Sequence, residues 1–259
     1  MEIGEFSLPS FAKINLYLKV LGKRADGYHE LCTVFQTVSL SDTITFLPSD
    51  ELKLSCDNEN IPIDGSNLIL KAAKALRDLA GTNKGAELHL EKKIPSPGGL
   101  GGGSSNAAVA LIGLRKLWGL DISDAELAAI GGKLGSDVPF FFIGGTALGT
   151  GTGRDVEAMS DANLDDPVIT TPNIAVSTAT AYHGLMAESL TKEEMGRNLL
   201  VCRKWAETVR FQQEQIVNDF EKTVFRTFPE IAVVKNKLIE LGAVTAGMSG
   251  SGASVFGIF

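Results

Sequence analysis

The chain has 259 residues, 44% hydrophobic and 21% charged, enough apolar material for one large or two small globular domains. A formal charge of −7 with no Lys/Arg-rich run argues against nucleic-acid binding, although a local anion site made of backbone N–H groups needs no net positive charge. The widely spaced Cys32, Cys56 and Cys202 form neither a disulfide framework nor a zinc pattern; the first ten residues lack signal-peptide character, and no apolar run reaches the ~20 residues of a bilayer span, so the expectation is a reduced, cytoplasmic protein with no membrane partner.

From Ala12 to Val20 the residues alternate as in a strand, with Ala12, Ile14, Leu16, Leu18 and Val20 on one face and Lys13, Asn15, Tyr17 and Lys19 on the other. The turn GKRADGYH follows, with Asp26-Gly27 as its signal, and strand-like stretches run roughly over 31–40, 42–47 and 51–56. Residues 67–80 have helical spacing, with Ser66 or Asn67 as cap and Gly81 as stop. ELHLEKKI reads as a strand leading into PSPGGLGGGSS, and the helix SNAAVALIGLRKLWG then starts near Ser104 or Ser105. Ser123 and Glu126 make a capping-box pattern for a helix over 124–134. Past about residue 156 come the loop SDANLDDP, a strand VITTPNIAV and two or three helices between roughly 192 and 241, with Pro229 and Gly242 bounding the last. The chain closes with the glycine-rich turn and apolar strand of AVTAGMSGSGASVFGIF. Strands and helices mixed without regular β-α alternation indicate an α+β protein, divided near residue 156.

The segment Pro95–Ala108, PSPGGLGGGSSNAA, is the most informative. Its glycines let successive N–H groups turn toward a phosphate with no Cβ in the way, and the following helix adds unpaired N–H groups and a positive dipole end. The adjacent serines can bond phosphate oxygens or a phosphate-bound magnesium ion. No Lys-Ser/Thr follows the glycines, so this is not a Walker A loop, and the loose spacing outside a β-α-β setting is not a dinucleotide fingerprint. A tight helix start needs fewer glycines than the five present.

Elsewhere the local signals are weaker. Taken alone, Lys13 reads as a solvated strand lysine, and Tyr28-His29 as a simple turn. Asp137, just before the apolar run Val138–Ile143, reads locally as a helix cap; its functional reading is a carboxylate that accepts a proton from an attacking hydroxyl. The second glycine loop, Gly247–Ser254, is either a hairpin turn or a surface against phosphate or substrate. With three histidines and no supported nucleophile–base pair, a Ser-His-Asp triad has little footing.

Together, AKINLYLKVLGKRADGYHEL, PSPGGLGGGSSNAA and GMSGSGASVF, in that order over nearly the whole chain, resemble the GHMP kinase superfamily of galactokinase, homoserine, mevalonate and phosphomevalonate kinases. The first motif, with GSDVPFF and VNDFEKTVFRTFPEI, is similar to the branch of non-mevalonate isoprenoid biosynthesis that uses ATP and Mg2+ to phosphorylate the 2-hydroxyl of a cytidine diphosphate-linked methylerythritol. The resemblance implies a ribosomal protein S5 domain 2-like N-terminal domain over 1–156, a ferredoxin-like C-terminal domain over 157–259, and a monomer or homodimer. It implies Lys13 and Asp137 as the catalytic pair, the carboxylate taking or orienting the hydroxyl proton and the lysine keeping it ionised and steadying charge near the phosphoryl group. Pro95, Ser96, Pro97, Gly98, Gly99, Leu100, Gly101, Gly102, Gly103, Ser104 and Ser105 would line the ATP phosphates, with no choice between the serines as magnesium ligand. Asn15, Tyr28 and His29 would hold the cytidine diphosphate, Tyr182 would stack on cytosine with Thr178 nearby, and Gly247–Gly252, Gly250 among them, would border the substrate phosphates. Two departures stand out: Ser96-Pro97 where the family commonly has a small residue and glycine, and an end at Phe259 where relatives usually continue into another helix. The rival readings are a homoserine or mevalonate kinase, a non-catalytic nucleotide-binding regulator, and a structural protein with glycine-rich turns.

Overall fold

The computed structural model describes residues 4–162, 164, 167–183, 185, 191–208 and 216–259, so part of the SDANLDDP loop and residues 209–215 lie outside the described residues. In chain order the elements are β1 (Phe6–Lys23), β2 (His29–Leu47), β3 (Leu52–Cys56), α1 (Leu68–Ala80), β4 (Ala86–Glu91), α2 (Gly102–Trp118) and α3 (Asp124–Leu134). A 3-10 turn over Val138–Phe142 precedes β5 (Thr146–Gly151), β6 (Asp155–Ala158), β7 (Val168–Thr170), α4 (Thr178–His183) and α5 (Lys192–Thr208). The chain ends with β8 (Val217–Asn218), α6 (Glu221–Thr227), α7 (Pro229–Glu240), β9 (Thr245–Met248) and β10 (Val255–Ile258). The α+β expectation holds. No helix among the described residues is long and apolar enough to cross a membrane.

By contacts the chain forms two units, Met1–Ala12 with Ser39–Ile94 and Gly101–Phe142, and Lys13–Val38 with Pro95–Leu100 and Ile143–Phe259. In the first unit the end of β2 pairs antiparallel with β4, and β3 pairs parallel with β4, so α1 is the crossover of a β-α-β unit that the sequence reading did not anticipate. That unit finishes before the glycine loop begins. Helix α1 starts where Asn67 Oδ1 accepts the Ile69 N–H at 2.9 Å and stops at Gly81, whose φ of 61° suits glycine. The Ser123–Glu126 capping box of α3 is formed on both sides. Alternating Ile44 and Phe46 on β2, and Leu88 and Leu90 on β4, meet Ile69, Ala72, Ala73 and Leu76 of α1 and the apolar side of α2 in one core.

In the second unit the start of β2 pairs antiparallel with β5, β5 with β6, and β1 runs parallel to β8. A separate antiparallel sheet has the order β7-β10-β9. Its Ala246, Met248 and Val255 pack with Val224 of α6, Ile231 and Leu238 of α7 and Ala181 of α4. Two expectations need correction. VITTPNIAV is a strand only over Val168–Thr170, and the closing segment holds one strand more than expected, Thr245–Met248, which pairs with β10 so that the glycine loop takes the hairpin reading.

Candidate active site

Within the second unit, both alternating faces of β1 are buried over Lys13–Leu18, so the solvated-lysine reading of Lys13 gives way: it is 2% exposed. Its ammonium donates to Asn15 Oδ1 at 2.6 Å and to the Gly99 carbonyl at 2.9 Å. Its backbone N–H donates to the Leu100 carbonyl at 3.0 Å, which ties the strand directly to the glycine loop. The Asn15 amide is used on both sides: Oδ1 also accepts the Gly250 N–H at 2.8 Å, and Nδ2 donates to Thr33 Oγ1 at 2.7 Å.

The two glycine loops, separate in the sequence reading, meet here backbone to backbone. The Gly98 carbonyl accepts the Ser254 N–H at 3.1 Å, and the Gly99 carbonyl accepts the Ser249 hydroxyl at 2.9 Å. Gly99, at φ 74°, has the Ser249 carbonyl oxygen where a Cβ would stand; a Cβ on Gly250, at φ 54°, would lie 2.9 Å from the Gly99 oxygen. Both positions therefore require glycine on two counts. Asn218 of β8 fixes the second loop by donating to the Met248 carbonyl at 2.7 Å and the Gly250 carbonyl at 2.8 Å. The Ser96-Pro97 bond is cis.

The expected base-binding residues belong to the same unit. The turn before β2 is held by Arg24 N–H to the Tyr28 carbonyl at 2.8 Å and Tyr28 N–H to Asp26 Oδ1 at 3.1 Å, with Gly27 at φ 86°. That turn presents Tyr28 63% exposed. His29 instead lies on Tyr182 of α4, ring centroids 4.7 Å apart and planes 23° apart, and the Tyr182 and Phe220 rings stand in a T-shaped pair. Burial lowers the proton affinity of His29 and neighbouring Lys23 adds to the effect, which favours the neutral imidazole in the stack. Thr178, exposed at the start of α4, has its hydroxyl 3.3 Å from that of Ser251 in the second glycine loop.

The first unit carries the rest. Helix α2 begins at Gly102, earlier than the serines, with Gly101 at φ 71° as N-cap and no side chain capping it. Its first-turn N–H groups and dipole end are thus a cradle for an anion, and a Cβ on exposed Gly103 would meet only Leu68, at 3.6 Å. Ser105 is turned inward: it is buried and its hydroxyl accepts from Ser10 Oγ at 2.8 Å. Ser104 is half-buried, 3.5 Å from where a Gly135 Cβ would stand, which puts it beside the turn that carries Asp137. Asp137 is half-buried; the Ser136 hydroxyl lies 3.4 Å from its Oδ1 and its carbonyl accepts the Phe140 N–H at 3.2 Å. The apolar run that follows is the 3-10 turn, whose Val138 packs on Gly131 of α3 and keeps that carboxylate's backbone in place.

The structure therefore gathers Lys13, Asn15, Gly98, Gly99 and Gly250 in one unit, and Gly102–Ser105 with Asp137 in the other. Sequence reasoning missed Thr33 and Asn218, and in the first unit Asp42, Lys92 and Asn106. Asp42 had left a signal, because it falls in phase with core residues Ile44 and Phe46 on β2.

Comparison with known proteins places the chain in a class. The profile for the GHMP kinases N terminal domain matches residues 67–145, and that for the GHMP kinases C terminal matches residues 203–259. A 4-diphosphocytidyl-2-C-methyl-D-erythritol kinase of Chlorobium phaeobacteroides is 41% identical over 259 residues, covering 99% of this chain and 87% of the relative. A solved 4-(cytidine 5'-diphospho)-2C-methyl-D-erythritol kinase is 32% identical with a TM-score of 0.77, over 98% of this chain and 90% of that one. A homoserine kinase of Cytophaga hutchinsonii shares the fold, with a TM-score of 0.74 at 18% identity, over 100% of this chain and 86% of that one. The chain belongs to the 4-diphosphocytidyl-2-C-methyl-D-erythritol kinase family of the GHMP kinases, and it is an ATP-dependent kinase.

Proposed function

We propose that this enzyme transfers the terminal phosphate of ATP to the 2-hydroxyl of 4-diphosphocytidyl-2-C-methyl-D-erythritol, with Asp137 accepting or orienting the hydroxyl proton. Lys13 steadies negative charge that develops near the transferred phosphoryl group. The observation that carries the reading is the buried Lys13 ammonium, fixed at 2.6 Å by Asn15 and at 2.9 Å by the glycine-loop carbonyl of Gly99. Phosphoryl transfer needs mostly positioning and electrostatic stabilisation, which a rigid cation on a glycine loop supplies. The domains are taken as residues 1–156 and 157–259, working in the cytoplasm as a monomer or homodimer.

The segment Pro95–Ser105 lines the ATP phosphates, and the uncapped start of α2 fits that anion. Magnesium fits as an ion carried mainly on phosphate oxygens, the usual arrangement for this ion beside substrate phosphates. Of the two serines, Ser104 is the one to reach it, because the Ser105 hydroxyl is bonded to Ser10. When bound, the ion supplies charge neutralisation at the phosphates.

The cytidine diphosphate is held by Tyr28, His29, Thr178 and Tyr182, with Asn15 acting largely through the Gly250 loop that it anchors. Exposed Tyr28 covers one face of the base and the face of Tyr182 turned away from His29 the other, and stacking contributes about 1–3 kcal/mol per base. Tyr28→Ala is accordingly expected to raise KM for the cytidine substrate by about tenfold or more while KM for ATP stays near its starting value. Equal losses for the two substrates in steady-state kinetics would remove the stacking assignment. The site of transfer is read directly by phosphorus NMR of the product, where a phosphomonoester on the 2-hydroxyl carbon is expected and one on another hydroxyl would overturn the reading.

A further inference from the structure

Asp42 has 0% exposure, yet carries a carboxylate that none of the roles above uses. Its Oδ1 accepts the N–H groups of Lys93 and Ile94, both at 2.7 Å. Its Oδ2 accepts from Lys92 Nζ at 2.8 Å and from Asn106 Nδ2 at 2.9 Å, and Lys92 Nζ also donates to the Ile94 carbonyl. Asn106 reaches on to Ser10 Oγ at 2.9 Å, and Ser10 donates to Ser105.

These donors share one property. Lys92, Lys93 and Ile94 form the arm that leads into the glycine loop, and Asn106 sits in the helix that leads out. One carboxylate thus joins the two segments of the first unit that flank the loop, the one ending at Ile94 and the one starting at Gly101. The ends are also in close packing there: a Cβ on Gly102 would lie 3.0 Å from Ile94 Cγ2 and 3.2 Å from Lys92 Nζ. A buried ion pair is poor evidence for stability, since apolar replacements of similar volume often serve as well. Where one geometry must be held, multiple charge-assisted hydrogen bonds to backbone supply direction that an apolar contact does not.

We propose that Asp42 is a positioning residue for ATP, acting through Lys92 and Asn106 to aim the first-turn N–H groups of α2 at the phosphates. This rests on the reading that the loop and the start of α2 hold ATP. The test compares Asp42→Asn and Asn106→Ala with Gly103→Val, whose side chain would cover the α2 N-terminus directly. The expected result is a KM for ATP raised about tenfold to a hundredfold in Asp42→Asn and Asn106→Ala, against less than about twofold for the cytidine substrate. Asn106→Ala keeps the Asp42–Lys92 pair, so it decides the matter if Asp42→Asn does not fold. A lowered melting temperature with both KM values unchanged in Asn106→Ala overturns the proposal, as does an equal rise for both substrates. If Gly103→Val also leaves ATP binding unchanged, the failure lies in the loop reading itself.

Discussion

Asp137→Asn is expected to lower kcat by about 10²–10⁴-fold, the range that a positioned general base contributes. The exchange is isosteric: the Ser136 hydroxyl at 3.4 Å still has an oxygen to face, and the turn is held by the backbone bond from Phe140 to the Asp137 carbonyl. The buried Val138 and Phe140 that anchor the segment are untouched. Binding of ATP, assigned to the loop and α2, should therefore persist, and kcat and kcat/KM should fall together, the pattern of an interaction made in the transition state. Stopped-time assays with saturating ATP check this, alongside calorimetric titration of ATP. Near-normal turnover would take Asp137 out of the mechanism.

Lys13→Met is expected to cost about 10²–10³-fold in kcat, the scale on which removal of one preorganised charge-stabilising donor acts. Methionine keeps much of the apolar stem that passes the Phe35 ring, 5.6 Å from the ammonium. Two of the groups that lose the ammonium keep other partners: Asn15 Oδ1 still accepts from Gly250, and the Gly99 carbonyl still accepts from Ser249. Stability should therefore change by no more than about 2 kcal/mol, in contrast to substitutions that leave a buried polar group unsatisfied. Urea unfolding beside kinetics separates the two effects. A large loss of stability with catalysis retained would make Lys13 a structural residue of β1.

The elements that carry local signals were legible in the sequence. Helix α1 between Asn67 and Gly81 and helix α3 behind its capping box have the stated bounds because caps and stops act within one turn of chain. What alternation on β1 could not reveal is that the polar face is also covered, since the covering atoms belong to glycine loops some 86 and 235 residues away in the chain. The meeting of the two loops was equally hidden, although each glycine run was visible. Their contact depends on backbone approach, which no side-chain pattern records. The inward turn of Ser105 against Ser10, and the stack of His29 on Tyr182, are likewise long-range pairings. Asp42 is the intermediate case, its phase with Ile44 and Phe46 being readable while its partners were not.

The most direct measurement is ADP release by the purified protein with Mg-ATP, with and without 4-diphosphocytidyl-2-C-methyl-D-erythritol, and with homoserine and mevalonate in parallel. The account predicts release that depends on the cytidine substrate and stays at background with the other two alcohols. Release driven by homoserine or mevalonate, or none with any of the three while ATP binds, would contradict it.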